Sequence, residues 1–102
     1  MNRYYVYILK CSDGSFYVGI TNDLDRRIGE HQVGWDASCY THDRRPIRLM
    51  YAEHFTNVDE AIAWEKRVKG WSRQKKIALI MGDFEKVHEL VKSERRARET
   101  NR

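Results

Sequence analysis

The stretch YYVYILKCSDGSFYVGI, residues 4–20, decides the fold of this chain of 102 residues. Aromatic and β-branched residues dominate both of its ends, as they do in buried strands. Between the ends, residues 12–15 supply turn chemistry, and Gly14 is free to take a positive φ. We therefore predict a β-hairpin with strands at residues 4–10 and 15–20.

The two faces of this hairpin follow from the alternation of side chains along a strand. Matching the apolar face of the second strand to Val6 and Ile8 puts Tyr7 and Tyr17 together on the opposite face. That match requires an odd number of loop residues, so a strict two-residue Asp-Gly turn does not fit.

Capping residues and apolar spacing predict the rest of the secondary structure. A third strand is expected after Pro46, at residues 47–52, following a long polar loop at 33–45. The first predicted helix begins after Asp23 or a neighbouring cap and ends near Gln32, and the second runs from the Asn57 cap to Gly70. Two more follow, capped by Ser72 over residues 73–81 and by Asp83 over 84–91. The fold class is therefore α/β, with a small three-stranded antiparallel sheet flanked by helices. We expect one domain over residues 1–91 and a charged, flexible tail over 92–102.

The bulk composition is that of an ordinary globular protein, with 41% hydrophobic and 33% charged residues. No apolar run approaches the length of a membrane span, and the first residues do not resemble a secretory signal, so we expect a cytoplasmic protein without membrane contact. Cys11 and Cys39 are too few and too far apart for a disulfide framework or a zinc site. The net charge of +4 and the pI of about 9.2 favour polyanionic partners.

Several side chains suited to phosphodiester chemistry occur close together in the sequence. Tyr7 and Tyr17 are phenols that can pass protons, and Arg27 and His31 follow on the inner side of the first predicted helix. Glu65 falls within the apolar stripe of the second predicted helix, where a carboxylate needs a partner. One carboxylate with waters and substrate oxygens is a normal arrangement for Mg²⁺.

The motifs YVY at residues 5–7 and YVG at 17–19, followed by Arg27 and Glu65, resemble the GIY-YIG nuclease superfamily. The resemblance covers roughly residues 4 to 80 and is strongest to small, stand-alone bacterial members. In the first motif Tyr5 and Val6 stand where the family has glycine and isoleucine, whereas Tyr7 is retained.

The resemblance implies a metal-dependent DNA endonuclease that acts in repair or on irregular DNA. Tyr7 and Tyr17 would flank the scissile phosphate, and one of them would help to deprotonate the attacking water. Arg27 would contact the phosphate, and His31 would assist proton transfer or phosphate contact. Glu65 would bind a single divalent metal, Mg²⁺.

Basic and aromatic side chains elsewhere would form a surface for DNA, tracking phosphates and stacking on bases. The residues assigned to this surface are Tyr40, Arg44, Arg45, Lys69, Arg73, Lys75 and Lys76.

Other readings of the same residues stay open at this stage. The tyrosines could be half-buried strand aromatics, and Glu65 could be a core acid paired with Arg27. The chain could be a nucleic-acid-binding module of this fold with little or no catalysis, or a protein-interaction domain. A partner protein could supply specificity that so small a domain lacks.

Overall fold

The computed structural model describes the backbone of residues 2–100 and the side chains of residues 2–93. The chain divides after Gly70 into two compact units. A short 3₁₀ turn, His42–Arg44, interrupts the long loop of the first unit. The strands and helices are β1 (Tyr4–Lys10), β2 (Phe16–Thr21), α1 (Leu24–Val33), β3 (Arg48–Phe55), α2 (Val58–Lys69), α3 (Arg73–Ile80) and α4 (Phe84–Thr100).

The three strands form one antiparallel sheet in the order β2-β1-β3. Because β1 is the central strand, it is flanked by a strand on each side, and its residues Val6–Leu9 have no solvent exposure. This burial accounts for the unbroken apolar run in β1, and the arrangement confirms the predicted α/β class with a three-stranded antiparallel sheet.

The hairpin register confirms that Tyr7 and Tyr17 share a face. Tyr7 lies opposite Gly19, and Leu9 lies opposite Tyr17. Lys10 pairs with Phe16, which leaves residues 11–15 as a loop with an odd number of residues. Gly14 adopts a φ of 84° within it, a conformation open to glycine at little cost.

Helices α1 and α2 lie against opposite faces of the sheet. On the Tyr7 face, Leu24 and Ile28 of α1 pack against an apolar cluster that includes Tyr7 and Leu9. On the other face, the Trp64 indole of α2 donates to the Tyr51 hydroxyl over 3.2 Å, and Tyr51 pairs with Ile8. The site face is thus covered by α1, and α2 supports the sheet from behind.

The predicted N-caps are confirmed at four helices. Asp23, Asn57, Ser72 and Asp83 each accept a hydrogen bond from a backbone N–H in the first turn of α1, α2, α3 and α4. These caps fix the residue at which each helix begins.

Two predicted boundaries are wrong. Strand β3 continues past Ala52 to Phe55, because this edge strand pairs with the start of β1 through residues that stay exposed and so need no apolar pattern. Helix α4 continues past Val91 to Thr100, since its charged residues are good helix formers. The division into a domain over 1–91 and a flexible tail over 92–102 stays a prediction, because the side chains of residues 94–102 lie outside the described part.

The second unit consists of α3 and α4, which pack against each other. Ala78 and Leu79 of α3 are buried, and Gly82 turns the chain with a φ of 71°. Across the part of the chain that the structure describes, no helix has the length and apolarity needed to cross a bilayer.

Candidate active site

The two hairpin tyrosines form the floor of the candidate site. Their ring centroids are 6.3 Å apart, with the ring planes tilted by 46°. The Tyr7 ring crosses over Gly19: a Cβ at that position would lie 2.9 Å from Tyr7 Cε1 and closer still to Cζ and Oη. Real Cβ atoms do not approach other atoms so closely, so the glycine of the YVG motif makes room for the Tyr7 phenol.

Helix α1 and the following loop enclose the Tyr7 hydroxyl in a chain of hydrogen bonds. The Tyr7 hydroxyl lies 2.9 Å from His31 Nε2, and His31 Nδ1 lies 2.8 Å from the Thr41 Oγ1. Tyr7, His31 and Thr41 are 0%, 2% and 1% exposed. Each buried polar group therefore depends on its neighbour for a hydrogen bond.

Arg27 lies on the same helix as His31, closer to the solvent. Its Nε donates to Glu30 Oε1 over 3.2 Å, and its guanidinium carbon is 5.7 Å from the centre of the Trp35 ring. The side chain is 29% exposed. Arg27 thus presents a guanidinium beside the tyrosines, where a phosphate could reach it.

The loop after α1 carries a second tyrosine pair onto the site. The rings of Tyr17 and Tyr40 stack with an interplanar angle of 15° and a centroid distance of 6.4 Å. Tyr40 donates from its hydroxyl to Ser15 Oγ over 2.8 Å. The Arg44 guanidinium lies 3.8 Å over the Tyr40 ring and pairs with Asp13 at 3.2 Å. These contacts fasten the loop to the β1–β2 turn and leave Tyr40 half-exposed.

Glu65 of α2 is a nearly buried carboxylate with a cationic neighbour. Its Oε1 lies 2.9 Å from Lys69 Nζ, one turn further along the helix. Burial and then Cys39 raise the pKa of Tyr17, and the charge of Glu65 adds a smaller contribution in the same direction. The alternative in which Glu65 pairs with Arg27 is wrong, because the structure pairs Arg27 with Glu30 instead.

The ionisation of the site follows from burial and from Arg27. Burial, followed by the charge of Tyr17, raises the pKa of Tyr7, while Arg27 lowers it by charge and as a hydrogen-bond donor. Burial and then Cys39 raise the pKa of Tyr17, again opposed by Arg27. Burial and the Arg27 charge lower the pKa of His31. At neutral pH both phenols are therefore protonated and the imidazole is neutral, and a phenol would act as a base only beside additional positive charge.

The residues predicted to bind DNA are divided between the loop after α1, helix α2 and helix α3. Arg45 donates to the His42 carbonyl over 2.9 Å, and Lys69 pairs with Glu65. Arg73 and Lys76 lie on α3, within the second unit. The prediction that Lys75 belongs to an exposed basic surface is wrong. Lys75 is 4% exposed, and its ammonium lies 5.5 Å from the centre of the Trp71 ring.

Two residues at the site were missed by sequence reasoning. Thr41 bonds to His31, and the Cys39 sulfur lies 3.4 Å from the Thr41 oxygen. Both lie in a polar loop without periodicity, and no sequence signal distinguishes them from other loop residues.

Comparison with known protein families decides the relationship. The profile of the GIY-YIG catalytic domain matches residues 3–78, about three quarters of the chain. This chain belongs to the GIY-YIG family. The predicted resemblance is confirmed.

Small bacterial proteins are similar to this GIY-YIG protein over most of its length. A UPF0213 protein of Staphylococcus saprophyticus is 46% identical over 80 residues, which cover 78% of this chain and 96% of the relative. A UPF0213 protein of Halalkalibacterium halodurans is 49% identical over 78 residues, covering 76% and 82% of the two chains.

Two solved structures are also similar to it. The solution NMR structure of a UPF0213 protein from Bacillus halodurans is 44% identical, with a TM-score of 0.52, and the match covers 86% of this chain and 96% of that one. The solution NMR structure of a protein from E. faecalis is 34% identical, with a TM-score of 0.58 and coverage of 80% and 86%.

Membership of the GIY-YIG family suggests a nuclease, with DNA as substrate and a divalent metal as the general cofactor of such enzymes. Among the described side chains, no group of three or more His, Cys, Asp or Glu could hold a metal ion. The resemblance assigns the metal to Glu65, and one carboxylate completed by waters and phosphate oxygens is a coordination set that Mg²⁺ accepts. A divalent metal at this carboxylate would have to displace the Lys69 ammonium, which lies 2.9 Å from Glu65 Oε1.

Proposed function

We propose that this GIY-YIG protein is a metal-dependent endonuclease that hydrolyses phosphodiester bonds in DNA. The observation that carries the proposal is the buried chain of Tyr7, His31 and Thr41, which lies beside the partly exposed Tyr17 and Arg27. Burying polar side chains costs free energy, and an apolar core would serve the fold as well. The cost of burying these polar side chains is explained if they transfer protons and support the binding of a phosphate.

The proposed roles follow from exposure. Tyr17 and Arg27 are the groups that solvent and substrate reach first. Arg27 would contact a phosphate oxygen and stabilise the charge that develops in the transition state. Tyr17 would first lose its own proton to solvent, favoured by the positive charge of Arg27 and of a bound cation, and as a phenolate would then receive the proton of the attacking water. Tyr7 and His31 are buried, and they would hold and relay a proton within their hydrogen bond.

Glu65 would hold the divalent metal, for which we propose Mg²⁺. When bound, the metal would polarise the phosphoryl oxygen and stabilise the leaving alkoxide. Lys69 would neutralise Glu65 in the absence of the ion and would be displaced by it, because both cations compete for the same carboxylate.

DNA would run across the exposed face of the loop after α1. Tyr40 and Arg44 present a stacked aromatic ring and guanidinium beside Tyr17, suited to a base and a phosphate. Arg45 would add positive charge at the same loop, and Arg73 and Lys76 would add it on the second unit. We further propose a cytoplasmic role in DNA repair or on irregular DNA, with a partner protein supplying specificity.

The second candidate function is a nucleic-acid-binding module without catalysis. It is favoured by the Glu65–Lys69 ion pair, which occupies the carboxylate that a metal needs, and by the raised pKa of both phenols. It shares the DNA surface with the first proposal and differs only in chemistry.

A cleavage time course separates the two functions. Single-stranded, duplex, nicked and branched DNA would each be incubated with Mg²⁺ or with a chelator, using wild type, Glu65→Gln and the exposed control Glu60→Gln on the same helix. Cutting by wild type and Glu60→Gln, but not by Glu65→Gln or with chelator, is the expected result. Salt-sensitive binding of DNA with no cutting of any substrate would instead establish the binding module.

A further inference from the structure

The Thr41 hydroxyl is buried and contacts a residue of the candidate site, but it does not itself reach the substrate. It is 1% exposed, and its Oγ1 lies 2.8 Å from His31 Nδ1 and 3.4 Å from Cys39 Sγ. Since His31 is neutral, its ring carries one N–H donor and one acceptor nitrogen. Thr41 and Tyr7 occupy the two nitrogens, so the choice of tautomer decides which way every proton in the chain points.

The Tyr7 end of the chain favours one of the two tautomers. The Tyr7 hydroxyl is hydrogen-bonded to His31, and the nearby Arg27 guanidinium has no acceptor to offer. Among the described side chains, His31 Nε2 is therefore the acceptor within reach of the Tyr7 O–H. If Nε2 carried the hydrogen, the Tyr7 hydroxyl would be buried with its own proton unpaired, which is costly.

The Thr41 end of the hydrogen-bond chain is compatible with a hydrogen on His31 Nδ1. With the hydrogen on Nδ1, His31 donates to Thr41 Oγ1, and the Thr41 hydroxyl can point to the Cys39 sulfur. The Thr41 hydroxyl would then donate to a weak sulfur acceptor, which costs less free energy than leaving the Tyr7 hydroxyl proton without an acceptor. Among the described side chains, no buried nitrogen or oxygen lacks a hydrogen-bond partner, in agreement with a fully paired chain.

We propose that Thr41 is a positioning residue that, by accepting from Nδ1, holds His31 as the Nδ1–H tautomer and keeps Nε2 as the acceptor for the Tyr7 hydroxyl. The order of donation is His31 Nδ1 to Thr41 and Tyr7 to His31 Nε2. Nothing is transferred in this state: the chain only sets direction. The catalytic consequence rests on the proposed function, whereas the tautomer is a property of the folded protein alone.

The test reads the tautomer of His31 directly, by long-range ¹H–¹⁵N correlation NMR at pH 7.5. The charged and titratable groups facing His31 are Tyr7, Tyr17, Arg27, Glu30 and Cys39, and all stay in place in the variants. We expect Nδ1–H in the wild type and in Thr41→Ser, which keeps the hydroxyl. Thr41→Val has the same shape without an acceptor and is expected to shift the ring to Nε2–H.

Cleavage assays on the same samples test the consequence. Thr41→Val should lower kcat by about 10- to 100-fold with KM nearly unchanged, and Thr41→Ser should restore kcat. An Nε2–H tautomer in the wild type, or wild-type kcat in Thr41→Val despite a changed tautomer, would overturn the proposal. Should Thr41→Val not fold, Thr41→Ala replaces it and the wild-type spectrum still decides the tautomer. If no sample cuts DNA while the tautomers behave as expected, the proposed function fails and the control of His31 by Thr41 stands.

Discussion

Replacing Gly19 by alanine tests the close approach on which the site is built. The added Cβ would lie 2.9 Å from Tyr7 Cε1 and closer to Cζ and Oη. The Tyr7 ring cannot retreat easily, because it is fully buried and its hydroxyl is bonded to His31. Either the ring or strand β2 must therefore move.

The magnitude follows from three opposing effects. Overpacking a well-packed core costs about 1–3 kcal/mol. Losing the Tyr7–His31 hydrogen bond adds about 1 kcal/mol. Because Gly19 has no positive φ, alanine fits the backbone and returns about 0.4–1 kcal/mol through the unfolded state. We expect Gly19→Ala to lower the free energy of unfolding by about 1–3 kcal/mol in urea denaturation.

The matched control is Gly29→Ala in helix α1. An added Cβ there meets nothing within 4 Å. Alanine is the better helix former, so this variant should gain roughly 0.5–1 kcal/mol. If Gly19→Ala proves as stable as the wild type and keeps the Tyr7–His31 bond, the steric reason given for the glycine of the YVG motif is wrong.

Three further variants test the roles assigned at the site. Tyr17→Phe removes one partly exposed hydroxyl, so kcat should fall by about 10²- to 10⁴-fold while the urea midpoint hardly moves; a wild-type rate would make this tyrosine structural. Arg27→Lys keeps the charge but loses the planar donor fork that reaches Glu30, and kcat/KM should fall about 100-fold or more; equal activity would show that charge alone suffices. The lowered pKa of His31 means that the unfolded chain binds more protons below about pH 6.5. The free energy of unfolding should therefore fall as the pH drops through that range, and His31→Gln should show a shallower fall; identical pH profiles would contradict the burial of a neutral imidazole.

The elements of the fold were predictable because local signals agreed with tertiary needs. The hairpin register followed from matching apolar faces, and Asp23, Asn57 and Ser72 each act as the expected cap. The end of β3 was not predictable, since an exposed edge strand lacks an apolar pattern. The end of α4 was missed because a run of charged residues reads equally well as a helix or as a solvated tail.

The site was only half accessible from sequence. Tyr7, Tyr17, Arg27 and His31 come together because one hairpin and the next helix carry them, and such neighbours in sequence are neighbours in space. Thr41 enters through a loop whose path depends on contacts with the β1–β2 turn. Such long-range docking leaves no local pattern, and neither does the ion pair that occupies Glu65.

Tyr7 lies on the central strand β1 and Tyr17 on the edge strand β2, so mutations near the two tyrosines should affect folding to different extents. A shift of β1 by one residue would turn Tyr7 to the far side of the sheet and bring Val6 or Ile8 beneath His31. The apolar core and the candidate site would then be lost together. Substitutions in β1 should therefore be selected against because they prevent folding, whatever their effect on activity. Tyr17 stands on an edge strand, where the side chain can change while the sheet survives. Loss of activity with an intact fold should therefore arise through β2 far more readily than through β1.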